Sequence, residues 1–219
     1  MARLVFEKQG NAVWISHLDL MRLFQRAFKR AGMSLKHTQG FNPRPSVSIA
    51  LPLSVGVKSH CELLDFELEG ELPPLAEMRQ RLNGALVEGI KVLQIYEGGR
   101  KLRDLALLNC TVSLEYDGGI SEIAVSQIRQ LFQRDSLVVT KKSKNGPVEQ
   151  DLIPMIRRLE VSVGDTSTVQ IDCLVCCQNP TLNPMQLVAA IETHLLQLKP
   201  DHTSCCRNEI YTINEKVFR

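Results

Sequence analysis

Apolar and polar positions change their period several times along the chain, and each change marks an element. Residues 3–8 alternate, with Leu4 and Phe6 on one side, as a half-buried strand does, and Gly10-Asn11 breaks the pattern. From Ser16 the period lengthens to that of a helix. Leu20, Phe24, Ala27, Phe28 and Ala31 share a stripe, Ser16 stands at the N-cap with Asp19 three residues on, and Gly32 closes the run. Residues 38–45 (TQGFNPRP) carry a glycine, an asparagine and two prolines, which predicts a loop before an apolar strand over 47–53. Residues 62–69 alternate again. A helix opening at Pro73-Pro74 runs to Glu88, with Leu75, Met78, Leu82, Leu86 and Val87 on one face, and 91–96 is a strand.

The order is βαββαβ, and the remainder repeats it: strand 110–116, helix 121–134, strands 137–140 and 168–176, helix 184–198, strand 208–214. This is the split βαβ arrangement of ferredoxin-like folds, in which two crossover helices cover one face of a four-stranded antiparallel sheet. The expected fold class is α+β, with two tandem ferredoxin-like units at 1–98 and 105–219. Gly98 and Gly99, ahead of Arg100, Lys101 and Arg103, mark the join. Residues 141–163 read as a segment inserted in the second unit, a loop plus an extra edge strand over 155–163.

Composition agrees with this layout. A chain of 219 residues with 44% hydrophobic positions can build two cores. The longest apolar runs, 48–53 and 105–108, fall far short of the roughly 20 residues of a bilayer span, and MARLVFEKQG has no signal-peptide core, so a cytoplasmic protein without a membrane partner is expected. Seven cysteines, with Cys176-Cys177 and Cys205-Cys206 adjacent, do not resemble a spaced disulfide framework, and reduced thiols are expected.

The net charge of +2 conceals an asymmetry, because the first 60 residues hold nine cations against two anions. Four of the cations, Arg22, Arg26, Lys29 and Arg30, share one stripe of the first helix. Such a row repels itself, and a polyanion would relieve it. The following loop offers Phe41 to stack on a base and Asn42 and Arg44 to meet polar edges and phosphate, with Lys36 beside it. The candidate RNA-binding residues are therefore Arg22, Arg26, Lys29, Arg30, Lys36, Phe41, Asn42 and Arg44. Structural roles compete with this reading: the stripe as a solvated face, and Phe41 packed beneath the sheet.

Candidate catalytic chemistry is sparse. His17, in the first helical turn, is a candidate general base for RNA cleavage if the fold brings His37, Tyr211 or Lys36 to it. Cys173 and Cys176, with Cys205 some thirty residues on, are candidate zinc ligands, but the segment reads as a strand without a knuckle glycine, and buried free thiols are the competing expectation. No Walker loop, GxGxxG, HExxH or radical-SAM cluster motif is present, so no cofactor is expected and catalysis by the chain itself is not favoured.

The runs Ile15-Ser16-His17-Leu18-Asp19-Leu20-Met21, Gln39-Gly40-Phe41-Asn42-Pro43-Arg44-Pro45 and Leu51-Pro52-Leu53-Ser54-Val55-Gly56-Val57 resemble the radical-SAM-associated domain of unknown function, with a weaker match at Asp151-Leu152-Ile153-Pro154. Ser16, His17, Asp19, Gly40, Phe41, Asn42, Pro43 and Gly56 carry the resemblance, whereas Arg44 stands where many members have histidine. Members are encoded beside, or fused to, cobalamin-type radical-SAM proteins, often near genes for ribonuclease G and ribosomal proteins. The resemblance implies an RNA-binding accessory protein for a radical-SAM enzyme acting on tRNA or rRNA, with no catalytic residues to carry over. Two other readings stay open: a metal-independent endoribonuclease using His17, and a module that docks a radical-SAM protein without touching RNA. The sequence leaves the oligomeric state undetermined.

Overall fold

The computed structural model describes residues 1–143 and 146–219. Among them are four α-helices, and the strands pair antiparallel. The chain divides into two compact units, Met1–Leu102 with Arg219, and Arg103–Phe218.

The first unit runs β1 (Ala2–Lys8), a 3-10 turn (Gly10–Trp14), α1 (His17–Arg30), β2 (Val47–Ala50), β3 (Lys58–Phe66), α2 (Leu75–Ala85) and β4 (Ile90–Glu97), with strands ordered β4-β1-β3-β2. Being central, β1 is buried on both sides and not on one. Leu4 and Phe6 face the helices, and Arg3 and Lys8 are also enclosed, at 3% and 1% exposure. Each charge has a partner. Arg3 lies directly opposite Asp65 and grips it with Nε and Nη2, while Nη1 donates to the Arg100 carbonyl at 3.0 Å. Lys8 Nζ donates to the Ile15 carbonyl at 2.9 Å, tying β1 to the entry of α1. Burial lowers its ammonium pKa, against the opposing charge of Glu62.

The predicted apolar stripe of α1 becomes the core of this unit. Phe24 meets Phe6 edge to face at 4.7 Å between centroids, and Phe28 meets Phe66 at 4.9 Å, contacts worth about 0.5–1.5 kcal/mol each beyond area burial. The helix stops at Gly32, whose φ of +70° suits glycine. Gly32 N–H donates to the Lys29 carbonyl and Met33 N–H to that of Phe28, which satisfies two otherwise open carbonyls. The β2 strand is shorter than the apolar run predicts, because Leu51 takes a φ of +50° and leaves the extended region.

The second unit runs β5 (Leu107–Glu115), α3 (Glu122–Leu131), β6 (Val138–Ser143), β7 (Gly146–Asp151), β8 (Ile156–Val163), β9 (Thr168–Cys176), α4 (Met185–His194) and β10 (His202–Tyr211). Its main strands are ordered β10-β5-β9-β8, while β6 and β7 form a separate two-stranded ribbon. The strand expected at 137–140 thus belongs to the ribbon, held by the buried Leu137 and Val139, and the stretch read as an extra strand, β8, lies directly beside β9. Of the segment 141–163, residues 144 and 145 lie outside the described residues. The last strand begins at His202, well before the expected 208, because Cys205 and Arg207 turn inward as β10 pairs along β5.

Candidate nucleic-acid interface

The cationic face of α1 follows from its cap and its core stripe. Ser16 Oγ accepts from Asp19 N–H at 3.2 Å and donates to Asp19 Oδ2 at 2.8 Å, fixing the first turn as the sequence predicts. With Leu20, Phe24, Ala27 and Phe28 buried, Arg22, Arg26, Lys29 and Arg30 stand exposed. Arg22 pairs with Asp19 at 3.0 Å, and the Ser16 hydrogen bond first, then that of Arg22, holds this carboxylate below its ordinary range. Both partners are more than 60% exposed, so the pair is weak and Arg22 can exchange it for another anion. Among the described residues, Arg26, Lys29, Arg30 and Arg44 have no ion-pair partner within 4 Å.

The loop after α1 is a closed neck with a bare tip. Ser46 N–H donates to the Lys36 carbonyl at 2.6 Å, His37 bridges Pro45, and Thr38 N–H donates to the Arg44 carbonyl at 2.8 Å. Beyond the neck, Phe41 is fully exposed at 109%, and Asn42, Pro43 and Arg44 are exposed beside it. Phe41 therefore does not pack beneath the sheet. Lys36, at the base, pairs with Glu67 at 3.3 Å.

Helix and loop share a cleft of about 500 Å³ lined by Gln25, Lys29, Ser34, His37, Pro45 and Glu69. The tight turn at Gly32 folds the chain back and brings the loop's base against the end of α1. Gln25 could have been found from its place four residues before Lys29. Glu69 could not, since it reaches the cleft through a long-range bond from its N–H to the Ser34 carbonyl at 2.9 Å.

The catalytic constellation is not assembled in this unit. His17 opens α1, while His37 lies by Lys29, twelve residues or about 18 Å further along the helix. Tyr211 belongs to the other unit. The zinc candidates do not all converge: Cys173 points into the core within electrostatic reach of Cys205, but Cys176, three positions on in a strand, faces the other way. Cys205 is buried on β10, and the described residues contain no group of three or more histidine, cysteine or acidic side chains arranged for a metal. All seven cysteines are free thiols.

A family model described as an uncharacterized protein conserved in bacteria, DUF2344, matches residues 2–184. The chain belongs to this family. No curated protein matches it. Among solved structures it is similar to an unknown protein from Galdieria sulphuraria, at 10% identity with 97% of each chain covered and a TM-score of 0.27. It is also similar to a "putative glycine cleavage system transcriptional repressor", at 11% identity with 94% of this chain and 97% of the other covered and a TM-score of 0.23. Within this DUF2344 chain no described helix is long and apolar enough to cross a membrane.

Proposed function

We propose that this DUF2344 chain is an RNA-binding accessory protein whose first unit grips RNA between the α1 cations and the Phe41 loop. The observation that carries the reading is the shared cleft, where Lys29 of the basic stripe meets the base of a loop that projects a bare aromatic ring. Phosphate neutralisation by Arg22, Arg26, Lys29 and Arg30 supplies affinity, and Phe41 supplies a stacking platform for an unpaired base. Its RNA would be a tRNA or rRNA, and its partner a radical-SAM enzyme that performs the chemistry. That half of the reading rests on the resemblance of the three N-terminal sequence runs. Cysteines that lack the spacing of a disulfide framework favour a cytoplasmic setting. We further infer that each unit is a ferredoxin-like module, supported by the parallel strand orders β4-β1-β3-β2 and β10-β5-β9-β8.

The deciding experiment titrates the purified protein with tRNA and rRNA fragments across a salt series. The expected result is a logarithm of affinity that falls linearly with log salt, and at least a tenfold loss in R26E/K29E with an unchanged melting curve. Absence of binding at low salt sinks the reading.

A second reading, protein docking without RNA, is favoured by one observation. Trp14, Leu18 and Val55 are exposed at 69%, 67% and 53%, and a Cβ on Gly56 would lie 3.3 Å from the Trp14 ring, so indole and Val55 turn adjoin. It predicts that W14A/L18A abolishes capture of the radical-SAM protein, whereas R26E/K29E leaves capture intact.

A further inference from the structure

The second unit carries its own cationic cleft. It lies between the end of α3 and β8, the outermost strand in the order β10-β5-β9-β8, encloses about 410 Å³, and is lined by Arg129, Phe132, Gln133, Arg157, Arg158 and Glu160 among others.

Its charge density comes from a break in register. From Arg158 to Val163 each residue of β8 faces one of β9, but Ile156 faces Val175 and Arg158 faces Leu174, so Arg157 is an extra residue. Consecutive side chains of a regular strand point to opposite faces. The bulge interrupts that alternation, and both arginines line the same cleft. Across from them, Arg129 donates Nε to the Val161 carbonyl at 2.9 Å, which anchors a third guanidinium at the cleft wall. Arg158 pairs with Glu215 at 3.0 Å, yet the two side chains are 71% and 45% exposed, so the pair is exchangeable. Among the described residues Arg157 and Arg129 have no ion-pair partner within 4 Å.

We propose that this cleft is a second phosphodiester-binding site, in which Arg157 and Arg158 present their planar forks to the backbone of a polynucleotide and Arg129 adds positive potential. The ligand class rests on the RNA reading of the first unit, and the site itself stands on the bulge and the three guanidinium groups.

The test is R157E/R158E in the full chain, titrated with the same RNA across the same salt series. Affinity falls about tenfold, and the salt slope drops by about 1.4, two single-strand phosphate contacts at 0.7 each. R157K/R158K keeps most of the slope and loses part of the affinity, because an ammonium cannot make the bidentate contact. If the glutamate variant does not fold, R157Q/R158Q carries the same comparison. Unchanged affinity and slope in the glutamate or glutamine variant, with R26E/K29E still impaired, overturns this site and leaves the first unit's reading standing. A wild-type protein that binds no RNA at low salt overturns both.

Discussion

Thr38 and Arg44 hold each other across the neck of the aromatic loop: Thr38 N–H donates to the Arg44 carbonyl at 2.8 Å, and Arg44 N–H donates back to Thr38 Oγ1 at 3.0 Å. The side-chain bond can be removed alone. Thr38→Val deletes it while keeping shape and the main-chain bond. An exposed hydrogen bond contributes about 0.5–1.5 kcal/mol, so the melting curve should shift little. If the loop grips RNA, however, a loosened neck must be ordered on binding, and affinity should fall about threefold to tenfold. Thr38→Ser, which restores the acceptor, should recover it. Equal binding by all three proteins in fluorescence anisotropy would show that the loop's conformation does not matter.

The Arg3–Asp65 pair predicts a different kind of defect. Both residues are nearly enclosed, at 3% and 5% exposure, so Arg3→Met would strand a carboxylate in the sheet. Urea unfolding should report a loss of about 3–5 kcal/mol, and the double variant R3M/D65L should be less destabilised than R3M alone, because the uncompensated charge is gone. A double variant worse than R3M would mean that packing, not charge, dominates there.

Elements set by local periodicity were legible from the residues alone. The Leu20–Phe28 stripe, the Ser16 cap and the Gly32 stop all depend on neighbours within one or two turns. Features set by distant partners were not. Nothing near Arg3 marks it as buried, since its partner lies 62 residues on. In the second unit, Leu137 and Val139 alternate cleanly and read as a strand of the main sheet, whereas the bulge at Arg157 spoils the alternation of β8 and hid its place beside β9. The candidate site was legible in pieces. The cations and the bare loop stood out, but their common cleft depends on the reversal at Gly32, and Glu69 reaches it through a contact between the bend after β3 and the chain after Gly32, without a local signal.

Two glycines should differ sharply on substitution. At Gly32, φ is +70° but the nearest atom to a new Cβ is Arg81 Nη2 at 3.9 Å, so Gly32→Ala should cost only the conformational penalty, about 1 kcal/mol. At Gly89, φ is +85° and a Cβ would collide with the Gln9 carbonyl and lie 2.8 Å from Ala12 Cβ. Backbone must move there, and the Gln9 N–H to Gly89 carbonyl bond of 2.8 Å moves with it. Gly89→Ala should therefore be the more damaging by well over the cost at Gly32. Comparable urea midpoints would mean that the turn from Gln9 to Ala12 yields freely.

Buried thiols should make the fold sensitive to alkali. Burial, more than any neighbouring charge, pushes the Cys173 thiol up to about 12 and the Cys177 thiol up to about 11, against about 8.5 in an unfolded chain. Between those values the native state keeps protons that the unfolded chain has released, so the unfolded state binds fewer and stability falls as pH rises. The contribution is intact below about pH 8.5 and is lost progressively as pH climbs toward 11 and 12. Lys8 acts in the opposite sense: its lowered ammonium pKa means that the native state releases a proton first, and stability rises as pH approaches the unfolded lysine value of about 10.4. Urea unfolding at successive pH values should therefore show a plateau near neutrality and a decline beginning near pH 9. C173A/C177A should flatten that decline and Lys8→Met should steepen it. A Lys8→Met profile that stays level to pH 10.5, with the opposing lysine contribution removed, would contradict the assignment of these thiols as buried and protonated.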